Sequence, residues 1–374
     1  MDPERYGPYR VYEQLGKGGM ATVHRAERDT PKGLQEVALK RLTPSLDEKP
    51  VKWFLDEARL LRYLHHPNIA NTYDSGRVFG TYFIAMEYVK GPTIRELIQH
   101  CSTTVGPVPQ AIVLNLMGQL CDALDYAHKR TDENGRPLGI IHRDVTPTNL
   151  IVDHDGVLKL VDFGLAKATL ATEPSTAGVL KGKLGYVAPE YTHGKIDHRA
   201  DLWAVGIIMY ELLTGRRLFE GAHAVDTLAR VRQLPVPRPS IANPKVSPHV
   251  DDVVMTALER DPRERWPSAA AMRNRINTVT ALIGEEKTNA QVIEWVNWAL
   301  AQKQPRPQQL TPIVAMPVVA QTVMLGNAEP ATKQAAPTAT PVSRDTMMAA
   351  WTPRNIAIAC GVLLLVLVIV LIVR

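Results

Sequence analysis

The segment Ile140-Ile141-His142-Arg143-Asp144-Val145-Thr146-Pro147-Thr148-Asn149, followed by Asp162-Phe163-Gly164, constrains this chain more than any other stretch. Asp144 precedes the carboxamide Asn149 by five residues. Asp162 lies thirteen further on, between the apolar strand residues Leu158, Leu160 and Val161 and a glycine. His-Arg-Asp or Asp-Phe-Gly alone is explained by an ordinary turn; together, in this order, they supply two carboxylates and an amide to one site. Magnesium takes hard oxygen ligands, few from protein and the rest from water and phosphate, which suits Asp162 with Asn149 better than a His/Cys cage would. Asp144 is then left to accept a proton from a hydroxyl. The chemistry such a set serves is phosphoryl transfer.

Upstream, residues 10–27 read as a strand, a glycine-rich turn and a second strand. In the turn, Leu15-Gly16-Lys17-Gly18-Gly19-Met20-Ala21-Thr22-Val23, small residues let backbone N–H groups come close to phosphate oxygens. A glycine turn by itself is equally a hairpin. Val37-Ala38-Leu39-Lys40 adds an apolar strand ending in a lysine suited to the α- and β-phosphates. Trp53 to Leu64 carries Phe54, Leu61 and Leu64 at helical spacing with Glu57 among them. A carboxylate bordering an apolar face needs a partner, and Lys40 is the candidate. His65-His66-Pro67-Asn68 ends that helix.

Gly16-x-Gly18-x-x-Ala21-x-Val23, Val37-Ala38-Leu39-Lys40, Glu57, His142-Arg143-Asp144, Asn149, Asp162-Phe163-Gly164 and Ala188-Pro189-Glu190 resemble the signature set of eukaryotic-type (Hanks-type) protein kinases. The similarity covers about residues 9–283 and is nearest the bacterial serine/threonine branch. It implies an α+β, bilobal protein-kinase fold: a small β-rich lobe at about 9–87 and a larger helical lobe at about 90–283. The implied reaction moves the γ-phosphate of ATP to serine or threonine hydroxyls of proteins, with Mg2+, or Mn2+ in its place. Nucleotide contacts are implied for Leu15, Gly16, Lys17, Gly18, Gly19, Val23, Ala38 and Lys40, the last held by Glu57, and for a hinge at Glu87-Tyr88-Val89 behind a gatekeeper, Met86. Asp144 takes the proton; Asn149 and Asp162 hold the metal. Glu190 pairs with Arg265, and Asp201 starts a nearly apolar helix through Leu213, capping it and tethering the catalytic-loop backbone. A pseudokinase scaffold is disfavoured because Lys40, Asp144 and Asp162 are all present. A small-molecule phosphotransferase is disfavoured by Ala188-Pro189-Glu190, Asp201 and Arg265, and a tyrosine-specific kinase by Pro147.

Between Leu165 and Lys183 the resemblance implies an activation loop, with Thr169, Thr172, Ser175 and Thr176 as phosphorylation candidates and Arg143 as the group that docks a loop phosphate. One departure stands out. Serine/threonine members usually carry a lysine two residues after the catalytic aspartate, where this chain has Thr146, and a threonine where it has Lys183. An exchange of roles follows as a hypothesis: Lys183 brings its ammonium to the γ-phosphate from the opposite side, and Thr146 supplies the hydroxyl near Asp144.

The rest of the chain predicts attachment and regulation. Of 374 residues with net charge +5, no stretch concentrates basic side chains, which argues against nucleic acid as a partner. Cys101, Cys121 and Cys360 form no paired or metal-ligand spacing, and a reducing compartment fits. Met1 to Arg10 is too polar for a signal peptide. Residues 285–302 include one more helical pattern, with Val292, Trp295, Val296, Trp298 and Leu300, expected to dock on the core. Residues 303–350, rich in Pro, Ala, Thr and Gln, read as a linker. Residues 356–373 are uncharged and long enough to span a bilayer as one transmembrane helix. Trp351 and Arg354 mark its inner interface, and only Arg374 follows. The expectation is a single-pass protein of the inner or plasma membrane, its catalytic domain cytoplasmic, with no sensor domain beyond the membrane, and able to form a homodimer through kinase domain or anchor.

Overall fold

The computed structural model describes residues 3–43, 48–163, 183–192, 196–285 and 288–303, without the side chains of Glu48 and Thr192. By its internal contacts the chain divides into Met1–Leu310 and Thr311–Arg374. The activation-loop candidates Thr169, Thr172, Ser175 and Thr176, Gly164, the linker from residue 304 and the span 356–373 lie outside the described residues.

The amino-terminal lobe is an antiparallel sheet of β1 (Glu4–Tyr6), β2 (Tyr9–Lys17), β3 (Ala21–Thr30), β4 (Gly33–Leu42), β5 (Thr72–Val78) and β6 (Thr81–Glu87), in the order β1-β2-β3-β4-β6-β5. Alternation along β4 decides what each face does. Val37 and Leu39 are fully buried with Tyr9, Val11, Phe83 and Ala85 on one side. Ala38 and Leu42 join the main core on the other, the face that also carries Lys40. Register places Lys40 opposite Val23 on β3 and Ile84 on β6, and Ala38 opposite Met86. Across that face packs α1 (Glu48–Leu61), which buries Phe54, Ala58 and Leu61 at helical spacing together with Glu57. The helix begins before the expected Trp53, because Pro50 falls in its first turn, where a missing N–H costs nothing.

The helical lobe contains α2 (Ile94–Thr103), α3 (Gln110–His128), α4 (Arg199–Thr214), α5 (Ala224–Gln233), the short α6 (Pro239–Ala242), α7 (Pro248–Ala257), α8 (Ala269–Leu282) and α9 (Asn289–Ala301). From Ala200 to Thr214 every residue of α4 is buried. Gly215, at φ 67°, ends it in the left-handed conformation that releases the chain. Between the lobes, β7 (Leu150–Val152) and β8 (Leu158–Leu160) form a two-stranded ribbon with Leu150 opposite Leu160.

Helix α9 is built into this lobe. Thr288 and Gln291 close its first turn as a capping box, and Val292, Val296 and Ala299 are buried. The His100 imidazole donates to Ala299 O at 2.8 Å. At Gly156 a β-carbon would stand 2.2 Å from Asn289 O, so this approach requires glycine. Of the two tryptophans, Trp295 packs against the core, whereas Trp298 is 52% exposed.

Candidate active site

Lys40 is where the two faces of the cleft meet. Its Nζ lies 2.7 Å from Glu57 Oε1 and also bonds the Asp162 carboxylate. Both Lys40 and Glu57 are buried. Burial alone would lower the ammonium's pKa, but the charges of Asp162 and Glu57 raise it above its ordinary value. The lysine therefore stays charged, as a phosphate partner must. Ahead of it, Gly18 N–H closes the β2–β3 turn on Ala21 O at 2.8 Å. A β-carbon at Gly16 or Gly19 would meet nothing within 4 Å, and one at Gly18 only Ala21 O at 3.5 Å. None of the three has left-handed backbone. Neither internal packing nor backbone conformation explains these glycines; open space over the turn fits close approach of a phosphate chain. Leu15 is 43% exposed beside the turn.

The catalytic loop is fixed from below. Asp201, buried in the first turn of α4, accepts His142 N–H and Arg143 N–H at 2.9 Å each and the His128 ring at 2.8 Å. Burial would raise its carboxyl pKa; these hydrogen bonds and the neighbouring His128 and His142 hold it below the ordinary value. Asp201 tethers the loop, as expected, but contrary to expectation it does not cap the helix. Asp197 Oδ1 accepts the Arg199 N–H at 2.8 Å instead, since the helix starts two residues earlier and Asp201 lies inside its first turn. His142 Nδ1 accepts Asp144 N–H at 3.2 Å, which leaves its proton on Nε2, facing Val161 O at 3.4 Å. Full burial lowers its pKa and keeps the ring neutral. Arg143 and Asp162 take φ values of 64° and 58°, conformations that cost non-glycine residues energy and cluster at functional sites.

The reactive groups stand together. Asn149 Nδ2 donates to Asp144 O at 2.9 Å and to Asp144 Oδ2 at 2.8 Å. Val161 N–H donates to Asn149 O at 2.9 Å, so Asn149 and Asp162 leave neighbouring strands side by side. With its nitrogen committed to Asp144, the Asn149 amide has its carbonyl oxygen to offer a cation. The 43%-exposed Asp162 carboxylate could offer a second hard ligand, and this oxygen pair fits magnesium held mostly by phosphate and water.

Lys183 reaches the same aspartate: its Nζ is 2.8 Å from Asp144 Oδ2. Thr146, the other half of the expected exchange, is engaged beside it. Its hydroxyl pairs with Thr148 Oγ1 at 3.0 Å, because the 3-10 turn Pro147–Asn149 brings Thr148 back to it. At the hinge, Met86 and Val89 are buried in the core region behind the cleft. The Glu87 carboxylate is engaged with Lys159 Nζ at 2.8 Å and Asn71 N at 3.1 Å, and the Glu87 N–H donates to Asn71 O at 2.8 Å, so neither group is left for a nucleotide. Neither Lys159 nor His128 carries a local signal in sequence; their partners lie 72 and 73 residues away. Below the site, Arg265 forms a two-pronged bond with Glu190, Nη1 to Oε1 and Nη2 to Oε2, both 2.8 Å. Its other donors reach Glu259 O, Arg199 O and Arg260 O.

Comparison with known proteins agrees with this geometry. Bacillus subtilis PrkC, a serine/threonine-protein kinase, is 35% identical over 275 residues, 73% of this chain and 40% of PrkC. Mycolicibacterium smegmatis PknB, also a serine/threonine-protein kinase, is 36% identical over 276 residues, 71% of this chain and 42% of PknB. Myxococcus xanthus MasK, a tyrosine-protein kinase, is 35% identical over 277 residues, 73% of this chain and 43% of MasK. This chain thus spans about two fifths of the length of these relatives. The crystal structure of the Mycobacterium tuberculosis PknI kinase domain matches with a TM-score of 0.55 at 26% identity, covering 74% of this chain and 98% of that one. The protein kinase domain family model matches residues 9–275, which takes in every residue of the cleft from Leu15 to Arg265, and the chain belongs to that family.

Proposed function

We propose that this chain transfers the γ-phosphoryl group of ATP to serine and threonine hydroxyls of proteins. The observation that carries the reading is Asp144, a buried carboxylate whose Oδ2 is held between Asn149 Nδ2 and Lys183 Nζ. So fixed, it accepts the hydroxyl proton as the oxygen attacks phosphorus. Lys40, braced by Glu57, orients the α- and β-phosphates, and the glycine turn covers them. Asp162 and Asn149 would hold magnesium, which when bound would supply positive charge beside the phosphate oxygens. Lys183 stabilises charge building on the transferred group, from outside the catalytic loop.

The test is an ATP-dependent phosphorylation assay of the chain on protein substrates and on itself, with phosphoamino-acid analysis and peptide mapping. Phosphoserine and phosphothreonine are expected, including label on Thr169, Thr172, Ser175 or Thr176, and most readily Ser175 or Thr176. Phosphotyrosine alone would favour the second reading, which rests on the likeness to MasK. In the same assay Lys183→Ala should lower turnover about 10²-fold, the effect of removing one preorganised donor at a transition state. Full turnover in Lys183→Ala would remove that lysine from the mechanism.

Anchoring in the inner or plasma membrane through residues 356–373, with the kinase domain cytoplasmic, is proposed from the uncharged apolar run. Among the described residues no helix is long and apolar enough to cross a membrane. The full chain should remain with membranes after alkaline extraction and a chain cut after residue 350 should not. Release of both would refute the anchor.

A further inference from the structure

Beside the catalytic loop opens a cavity of about 530 Å³ lined in part by Arg95, Gln99, Thr146, Thr148, Lys183 and Arg217. Lys183, a lining residue, also touches Asp144, so the cavity lies next to the carboxylate proposed to receive the hydroxyl proton. Its charge is one-sided: three cations face a single acid of the lining, Glu220. The cations differ in what already neutralises them. Lys183 is on Asp144, and Arg217 Nε lies 3.6 Å from Glu211 Oε1. Arg95 spends its Nη2 on a phenol, donating to Tyr186 Oη at 2.8 Å. Among the described residues it forms no ion pair.

Tyr186 cannot serve as its counter-ion. The phenol receives Arg217 Nη1 at 2.7 Å and donates its own proton to Glu211 Oε2 at 2.6 Å. Burial, and then the charge of Glu211, push its pKa far above the ordinary value, so it stays neutral. Both guanidinium groups stand over the Tyr186 ring, 5.8 Å and 5.2 Å from its centre. One buried carboxylate, Glu211, lies beneath two partly exposed arginines. With Lys183 on Asp144 and Arg217 on Glu211, Arg95 is the lining cation that forms no ion pair among the described residues, and the exposed Glu220 is not paired with it.

Building on the protein-kinase reading above, we infer that this cavity is a subsite for an aspartate or glutamate of the protein substrate, near in sequence to the accepting hydroxyl, with Arg95 setting the preference. An arginine fork offers two parallel donors to a carboxylate. A lysine or arginine brought to the same place would face two guanidinium groups and be rejected by charge. Arg217, tied to Glu211 and Tyr186, keeps the aromatic floor under Arg95 in place. Gln99 and Thr148 add neutral hydrogen-bonding groups from the same lining.

A serine peptide library with each flanking position varied in turn, phosphorylated by the full chain, tests this. Asp and Glu should be preferred, and Lys and Arg disfavoured, at one position near the serine. In Arg95→Glu the preference should disappear or reverse, with KM for the best acidic peptide raised about tenfold and more than kcat is lowered, whereas Arg95→Lys keeps its sign. A residue that merely supported Tyr186 would change turnover without reversing a charge preference. Equal use of acidic and basic residues everywhere, or an acid preference untouched by Arg95→Glu, overturns the subsite. Transfer to no peptide or protein would instead count against the kinase reading. Fluorescence anisotropy then decides for the subsite: a labelled Asp-rich peptide must bind, and must bind about tenfold more weakly to Arg95→Glu. No binding, or binding unchanged by the substitution, rejects it.

Discussion

Asp144→Asn is expected to slow phosphoryl transfer by about 10²- to 10⁴-fold, the span of a lost general base, while the domain stays folded. Asp144 Oδ2 now accepts from two nitrogens, Asn149 Nδ2 and Lys183 Nζ. An amide at this position has one acceptor oxygen where the carboxylate has two, and its nitrogen carries protons that must face a donor or turn away. The substitution therefore removes the proton acceptor and releases Lys183, whose side chain is 33% exposed and can be hydrated. ATP affinity should change little, since Lys40 and Glu57 are untouched. Initial rates, nucleotide titration and a thermal melt on the same preparation separate these effects. Turnover within tenfold of the parent would remove Asp144 from the role of base.

The second large effect concerns stability. Arg265→Ala should cost about 3–5 kcal/mol, the usual penalty for breaking a buried ion pair from one side. The Arg265 side chain has no exposure and that of Glu190 7%, so the orphaned carboxylate would find little water. The guanidinium also satisfies three carbonyl oxygens and lies 5.0 Å from the centre of the Trp203 ring. All of these partners are lost at once. For a domain of this size the loss corresponds to a melting point lower by about 6–20 °C. The pair Arg265→Met with Glu190→Leu should recover part of it, because two apolar side chains leave no buried charge behind. A single substitution costing under 1 kcal/mol in urea titration would mean that Glu190 reaches solvent or another cation.

The elements that bury a face were legible in sequence. The apolar run after Asp201 became α4, and the helical pattern within residues 285–302 became α9. Lys40 and Glu57 could be brought together in advance because a charge at an apolar boundary demands a partner; the contact of Lys40 with Asp162 was not anticipated. What stayed hidden has a common physical cause. Strands β1 and β5 lie at the two edges of the sheet and are largely exposed, so no alternation marks them; main-chain pairing alone makes them strands. The Thr146–Thr148 pair depends on the shape of a three-residue turn, and the Glu87–Lys159 pair on a contact between lobes. Neither is written in spacing. The Arg95–Tyr186–Arg217 wall joins an early helix to a loop 91 residues away, visible only after folding.

The hold of Asp201 on the catalytic loop has a thermal consequence. Its carboxylate belongs to α4, the most deeply buried helix described, yet it fixes the backbone at His142 and Arg143. Catalytic geometry is thereby fastened to a fully buried helix, the kind of element expected to open last, rather than to a surface loop. Warming cannot loosen this loop ahead of the rest. The domain should keep a competent active site almost to the temperature at which its core gives way, and lose both in one step.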